Sequence, residues 1–281
     1  MNITPQINGY QNNYQVNNTP NFKAREKGIY ELFKGTGKAT IYQLEKSDIP
    51  LLQNFIDNIG KFFEQNNVAK EDDAKQEIIL KAFQAGIDFL KGQKHPKDKV
   101  KVMLAVVEDK NKTCGVIIGD ALKIDKKGKF VYSSRKNHGA KEGEIEFFST
   151  WNNGEFKGVG KSLAGEYFRA AKKDGFKSAY VRSEIPELEP ETEKFYTDCG
   201  FRRLTKDKKL DLKKGDNPYV AGEYFDPNDE IIPMKANMTR INEFLNNPKM
   251  IPPRTETTNP KRVDLSHLMI KGVNGGVCKN V

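Results

Sequence analysis

A short glycine-containing segment, Lys157-Gly158-Val159-Gly160-Lys161-Ser162, has the residue types needed to bind a phosphate group. Glycine has no side chain, so the backbone N–H groups of such a turn can approach an anion closely. Apolar residues then recur at helical spacing from Lys161 to Lys173, and the N-terminus of a helix favours a negative charge. The segment therefore predicts a phosphate-binding turn at the start of a helix.

The end of this segment, Gly160-Lys161-Ser162, also matches the end of the nucleotide-binding pattern Gly-x-x-x-x-Gly-Lys-Ser/Thr. That pattern requires a glycine five positions before Gly160, where the sequence has Glu155. In addition, neither later predicted strand ends in the aspartate that would hold magnesium. A nucleoside triphosphatase stays an alternative interpretation, and failure to bind ATP with magnesium would remove it.

The elements that must position this turn form a mixed α/β pattern. Apolar and β-branched runs predict strands over residues 39–44, 100–107, 114–122, 130–132, 144–151, 178–181, 201–204 and 231–234. Helical spacing predicts helices beginning near Pro50, Glu71, Lys161, Glu191 and Asn237. Hairpins come first, and strands alternate with helices after residue 144.

Composition limits the classes of function. The 281 residues carry a net charge of +9, and no stretch approaches the roughly 18 consecutive apolar residues of a membrane helix. The first residues lack the basic start and apolar segment of a secretory signal, so we expect a cytoplasmic protein with no membrane contact. Three cysteines and three histidines are scattered, which argues against a disulfide framework and a metal site.

Composition also divides the chain. Residues 1–22 are uncharged and rich in Asn and Gln, and we expect residues 1–38 to form a disordered tail. A single domain is expected over residues 39–236. Residues 237–281, which contain Pro252-Pro253 and a Gly-rich end, are expected to be a C-terminal helix and loop extension.

The positive charge is unevenly distributed along the chain. Residues 141–200 have a net charge of −3, whereas the segments before and after them carry +7 and +5. The basic flanks, with lysine runs at residues 126–129 and 206–214, leave open a non-catalytic module that binds nucleic acid or an acidic partner. No aromatic residues alternate with these lysines as a stacking platform would require, so nucleic-acid binding is not favoured. The oligomeric state is not indicated.

Two motifs resemble those of the GNAT family of N-acetyltransferases. The segment Glu155-Phe156-Lys157-Gly158-Val159-Gly160 resembles the family's acetyl-CoA-binding motif Gln/Arg-x-x-Gly-x-Gly/Ala, and Phe195-Tyr196-Thr197-Asp198-Cys199-Gly200-Phe201 resembles its Phe-Tyr-x-x-x-Gly-Phe signature. The element order over roughly residues 39–236 is also similar. The resemblance implies an α/β (mixed α+β) GNAT fold, with a mostly antiparallel mixed sheet that splays at the cofactor site and is flanked by helices.

The same resemblance implies acetyl-CoA as the acyl donor and assigns residues to it. The Phe148 backbone N–H would polarise the thioester carbonyl, and Ser149 and Thr150 would pair with the pantetheine arm like an added strand. Glu155, at the Gln/Arg position of the motif, would lie near the pyrophosphate. The implied cofactor-binding residues are Phe148, Ser149, Thr150, Phe156, Lys157, Gly158, Val159, Gly160, Lys161 and Ser162.

Three further side chains are candidates for proton transfer. Glu144 stands where the histone-acetyltransferase branch carries its glutamate base, and strand alternation places Glu146 on the same face. A partly buried glutamate with a raised pKa could take the ammonium proton through water. Either glutamate could instead be an exposed or lysine-paired strand residue. Tyr196 is the candidate acid for the thiolate, since a phenol has an ordinary pKa of about 10, although it could simply pack against its helix.

An acidic cluster suggests the class of acceptor. It consists of Glu184, Glu187, Glu189, Glu191 and Glu193. In the family, this region borders the acceptor site, so Glu146, Glu184 and Glu187 are the candidate substrate-binding residues. An acidic entrance would attract a cationic amine, such as a polyamine, an aminoglycoside-like compound or a lysine side chain. The cluster could equally be a solvated loop that caps the next helix.

Overall fold

The computed structural model describes residues 22–33, 37–70, 72–92, 100–124, 130–131, 142–151, 154–184, 190–203, 231–256 and 261–271. Its strands are β1 (Ala24–Glu31), β2 (Lys38–Gln43), β3 (Lys101–Val107), β4 (Lys112–Ile124), β5 (Phe130–Val131), β6 (Glu142–Thr150), β7 (Ser178–Glu184), β8 (Arg202–Arg203), β9 (Ile231–Asn237), β10 (Arg254–Glu256) and β11 (Arg262–Val263). Its α-helices are α1 (Ile49–Asp57), α2 (Ile59–Gln65), α3 (Asp73–Gly92), α4 (Val159–Lys173), α5 (Pro190–Asp198) and α6 (Met238–Leu245).

The strands form a mixed sheet in the order β10-β1-β2-β3-β4-β6-β7-β9-β8, with β11 beside β1 and β5 beside β4. β6 and β7 are parallel. The other strand pairs of the described residues are antiparallel. The predicted mostly antiparallel mixed sheet with flanking helices is therefore confirmed.

Helices cover both faces of the sheet, because successive strand residues point to opposite sides. In β3, Val102, Leu104 and Val106 join a core with α1, α2 and α3. The alternate residues Met103, Ala105 and Val107 join a second core with α4, α5 and α6. Burial on both faces explains why this part of the sequence is continuously apolar.

The expectation of a disordered tail over residues 1–38 is wrong for β1. This strand pairs with β2 on one edge and with β10 and β11 on the other. The segment 237–281 likewise supplies two strands in addition to its predicted helix, α6. The sequence of β1 is rich in charged residues, so its strand structure depends on pairing along both edges rather than on apolar patterning. Residues 1–21 lie outside the described part of the chain.

A buried polar cluster fixes these outer strands to α4. Glu166 is 1% exposed, and its Oε1 accepts hydrogen bonds from Tyr30 Oη at 2.6 Å and Arg254 Nε at 2.5 Å. Arg169 Nη1 donates to Tyr30 Oη at 2.9 Å. Gly28 makes room for the cluster, since a Cβ there would lie 2.6 Å from Glu166 Oε1. The cluster thus connects β1, β10 and α4.

Candidate active site

The sheet opens between β6 and β7. Their parallel pairing ends at Ile145 and Val181, whereas β6 continues to pair with β4 as far as Thr150. The register between β4 and β6 shifts at Glu146, a β-bulge that increases local twist. The last residues of β6 therefore have a partner strand on one edge only within the described structure.

Strand alternation identifies the backbone groups that face this opening. Trp151 N–H donates to Cys114 O in the β4 hairpin at 3.1 Å, so the backbone groups of Ser149, two residues earlier, also face β4. Those of Phe148 and Thr150 face the open edge instead. The structure thus places Phe148 and Thr150 as predicted for contact with an added chain, but it turns the Ser149 backbone away.

The glycine segment lies at the start of α4, as predicted. Gly158 has a φ of +110° and immediately precedes the first helical residue, Val159. Ser162 N–H already donates to Gly158 O at 2.9 Å, and Ser162 Oγ donates to the same oxygen at 3.0 Å. Both Ser162 donors are therefore used within the helix, and its contact with the pyrophosphate stays a prediction. Val159, Gly160 and Lys161 supply the first-turn N–H groups, which have no acceptor inside a helix.

Packing brings this helix start next to the open end of β6. A Cβ on Gly160 would lie 3.3 Å from Phe148 Cζ and 3.5 Å from Thr150 Cγ2, so glycine allows the close approach. The Phe156 and Val159 side chains are buried in the core beside α4, and they anchor the turn instead of facing solvent. Lys157 is exposed, and its carbonyl oxygen accepts a hydrogen bond from Phe33 N–H at 3.0 Å.

Two charged side chains near the turn have partners that the sequence did not reveal. Lys161 Nζ lies 2.7 Å from Asp198 Oδ2, so its ammonium group joins α4 to α5. Glu155 Oε2 lies 3.0 Å from Lys112 Nζ, in β4. The Glu155 carboxylate, which the resemblance places near the pyrophosphate, is therefore paired with Lys112 in this structure.

Glu144 is buried on the strand that opens. A side-chain hydrogen bond joins it to Glu146, and Arg182 Nη2 lies 3.4 Å from its Oε1. Burial, followed by the charge of Glu146, raises the pKa of Glu144 to about 8, while Arg182 opposes this shift. The two glutamates share a face of the sheet, as strand alternation predicted. A carboxyl group with this pKa can accept a proton near neutral pH.

Aromatic rings from α5 contact the open end of β6. The rings of Phe148 and Phe195 stack with centroids 4.9 Å apart and planes 19° apart. The Tyr196 ring centroid lies 6.4 Å from that of Phe148, and Tyr196 is 6% exposed. The structure therefore brings the Tyr196 ring close to that of Phe148 and also packs it against Phe201.

The acidic cluster is only partly described. The Glu184 backbone belongs to β7, whereas Glu187 and Glu189 lie outside the described residues. Glu191 is exposed in the first turn of α5, and Glu193 forms an ion pair with Arg203. The lysine runs at residues 126–129 and 206–214 also lie outside the described residues. Sequence reasoning missed Arg182, because the predicted strand ended at Val181, whereas the strand in the structure continues to Glu184.

Within the described ranges, no three His, Cys, Asp or Glu side chains come together where a metal ion could be held. None of the helices in these ranges is long and apolar enough to cross a membrane.

No protein-family model matches the chain, and no curated protein matches it. Its structural neighbours are GNAT acetyltransferases. The GNAT domain of PAT from S. lividans has 13% identity and a TM-score of 0.45, covering 76% of this chain and 97% of that one. A probable acetyltransferase from Staphylococcus epidermidis ATCC 12228 has 16% identity and a TM-score of 0.42, covering 71% and 99%. The PaiA N-acetyltransferase from Thermoplasma acidophilum, solved with coenzyme A, has 15% identity and a TM-score of 0.36, covering 71% and 98%.

Proposed function

We propose that the protein is an acetyl-CoA-dependent N-acetyltransferase that acetylates a primary amine, either a small cationic amine or a lysine side chain. The observation that carries this proposal is the opening between β6 and β7, which has a glycine-led helix start beside it and the buried Glu144 on the opening strand. These features supply the three requirements of the reaction: an anion site, carbonyl polarisation and a base.

In the proposed reaction, the neutral amine nitrogen attacks the thioester carbonyl carbon directly. The carbon–nitrogen bond forms, the carbon–sulfur bond breaks, and no acyl-enzyme is made. Glu144 takes the proton that the ammonium group loses before attack, directly or through water, and Tyr196 gives a proton to the departing thiolate. The second proton, which the nitrogen loses as the amide forms, returns to the Tyr196 phenolate, and Glu144 releases its proton to solvent. The Phe148 N–H, on the open edge, donates to the carbonyl oxygen as negative charge develops there.

The first turn of α4 is suited to the pyrophosphate of coenzyme A. The N–H groups of Val159, Gly160 and Lys161 belong to a helix of 15 residues, and such a terminus favours an anion. The thioester end would extend toward Phe148 and Thr150, whose side chains lie next to Gly160. This assignment keeps the cofactor-binding residues proposed from sequence, except Ser162 and the Ser149 backbone.

Calorimetric titration of the full chain with acetyl-CoA is the first test, and no binding at several hundred micromolar would reject the proposal. Release of free thiol is then measured with polyamines, aminoglycosides and lysine peptides as acceptors. Glu144→Gln should lower kcat by about 10² to 10⁴, the usual contribution of a general base. Glu146→Gln is the matched comparison, and a larger loss in that variant than in Glu144→Gln would assign the base to Glu146.

A further inference from the structure

Arg182 lies at the point where β7 separates from β6. It follows Val181, the last residue of β7 that pairs with β6. Tyr180 lies opposite Glu144 in that pairing, and Arg182 is two residues further along the same face. Its guanidinium group therefore reaches back across the gap, and Nη2 lies 3.4 Å from Glu144 Oε1.

Two other carboxyl groups lie near Glu144, and their negative charge disfavours ionisation of Glu144 unless a cation offsets it. Glu146 is hydrogen-bonded to Glu144, and Asp120 lies directly opposite Glu144 in β4. Two carboxylates in contact do not ionise independently, because each charge disfavours the other. Arg182 supplies the opposite charge from β7.

Several other charged or titratable groups on the neighbouring elements have partners other than the Glu144 carboxylate. From α4, Tyr167 Oη donates to the Glu144 backbone oxygen at 2.9 Å, not to its carboxylate. Further along β6, Glu142 pairs with Lys235 of β9 at 2.7 Å. On α3, which packs against β6, Glu77 and Lys81 pair with each other at the surface. Arg182 is therefore the cation that contacts Glu144 among these groups.

We propose that Arg182 is a positioning residue for the base: it holds the Glu144 carboxylate across the parted strands and offsets the charge of the Glu144–Glu146 pair, so that Glu144 can act as a base near neutral pH. The role of Glu144 as the base rests on the proposed function, whereas the electrostatic contact does not. The low exposure of Glu144 distinguishes this contact from an ordinary surface ion pair, which contributes little to the stability of the fold. The Glu144 side chain is 3% exposed, and that of Arg182 is 40% exposed. A buried carboxylate gains more from a nearby cation than a solvated one does.

The first experiment measures the carboxyl group directly and needs no enzymatic activity. The full chain is labelled with ¹³C at the glutamate side-chain carboxyl carbon and titrated by NMR, and the signal missing in Glu144→Gln identifies Glu144. In Arg182→Gln, the titration midpoint of Glu144 should rise by about one pH unit. Arg182→Met, which keeps the aliphatic stem, should show the same rise, while Arg182→Lys should stay near the wild-type value.

Arg203→Gln is the matched control, because Arg203 pairs with a different glutamate, Glu193. It should leave the Glu144 midpoint unchanged. An unchanged midpoint in both Arg182→Gln and Arg182→Met would overturn the proposal, whatever their catalytic activity.

The second experiment follows kcat/KM against pH with an acceptor found in the screen. In Arg182→Gln, the acidic limb should move to higher pH, giving about a tenfold loss at pH 7 for a shift of one pH unit. The rates of variant and wild type should converge above the new midpoint. A loss of the same factor at every pH would contradict the proposal, because a purely structural defect does not depend on the base. If wild-type protein shows no acetyl transfer, the proposed function fails, and the NMR titration still decides the role of Arg182.

Discussion

At the scale of single residues, the burial of Glu144 makes the stability of the folded protein depend on pH. Its pKa is raised from 4.5 to about 8, so between these values the folded state holds a proton that the unfolded chain releases. Stability therefore falls as the pH rises through this window. The unfolding free energy of Glu144→Gln, relative to that of wild type, should therefore rise by on the order of 4 kcal/mol from pH 5 to pH 9.

Urea unfolding at the two pH values measures this difference. Glu64→Gln is a suitable control, because the Glu64 side chain is 64% exposed. A difference between wild type and Glu144→Gln that is the same at both pH values would contradict the raised pKa.

Tyr196 provides a second test at this scale. Tyr196→Phe removes the hydroxyl group and keeps the ring that packs against Phe148 and Phe201. If Tyr196 protonates the thiolate, kcat should fall by about 10², and the Kd for acetyl-CoA should stay near the wild-type value. Tyr42→Phe is the control, since Tyr42 donates to Glu108 instead. An unchanged kcat in Tyr196→Phe would show that Tyr196 contributes only its packing and does not protonate the thiolate.

Sequence reasoning at the residue scale was limited by unknown partners. Strand alternation predicted that Glu144 and Glu146 share a face, and their side chains are hydrogen-bonded, even though the bulge at Glu146 interrupts the alternation. Lys161 and Glu155 could not be placed in the same way. Their partners, Asp198 and Lys112, lie on other elements, and tertiary contacts decide the direction of a long charged side chain.

At the scale of elements, the periodic segments were predicted well and the interruptions were not. Residues 51–63 show continuous helical spacing, yet the structure divides them into α1 and α2 at Asn58. Asn58 has φ −120° and ψ 32°, outside the helical region. Apolar residues remain in register on both sides, so periodicity does not reveal the break. The bulge at Glu146 was similarly hidden, because it depends on the register with β4.

The glycine turn gives a prediction at this scale. Gly158→Ala should weaken acetyl-CoA binding by at least about tenfold, or about 1.4 kcal/mol. The new Cβ would lie 2.6 Å from Pro252 Cγ, so the first turn of α4 would have to shift. Calorimetry measures the affinity, and urea unfolding measures the stability of the same variant.

Gly175→Ala provides a matched comparison at the other end of α4. Gly175 also has a positive φ, +81°, but a Cβ there would meet nothing within 4 Å. Both variants should lose about 1 kcal/mol of stability from backbone strain. Equal affinities for acetyl-CoA in the two variants would show that the start of α4 does not hold the cofactor.

At the scale of the whole molecule, the buried cluster around Glu166 should control the attachment of the outer strands. Arg254→Gln removes the guanidinium group that is hydrogen-bonded to the buried Glu166 carboxylate and leaves that of Arg169, 3.8 Å away. It should cost about 3 kcal/mol of unfolding free energy. The double variant Glu166→Gln/Arg254→Gln should recover part of this loss, because no charge then stays buried. Urea unfolding tests both.

Arg262→Gln is the comparison for this prediction. The Arg262 side chain is 56% exposed and lies 4.0 Å from Glu45, so its loss should cost less than about 1 kcal/mol. A cost for Arg254→Gln no greater than that of Arg262→Gln would show that the buried cluster does not stabilise the fold.

The centre of the molecule was predictable from sequence, and its edge was not. Strands β3 and β4 are marked by apolar runs because both of their faces are buried. β1 and β10 contain mostly charged and polar residues. Each is placed in the sheet by its hydrogen-bonded pairing with the other. A pairing between distant segments cannot be inferred from local composition.

The far edge of β1 is completed by β10 and β11, which lie more than 200 residues later in the sequence. A ribosome adds on the order of 10 residues per second, so a nascent chain would expose β1 for tens of seconds before its covering strands emerged. An uncovered strand edge can pair with other chains, and charged side chains discourage this. The charged residues of β1 prevent its recognition as a strand from apolar patterning. They would also discourage the growing polypeptide from pairing with other chains through this edge. Closure of this edge is then a late step that follows synthesis of nearly the whole sheet.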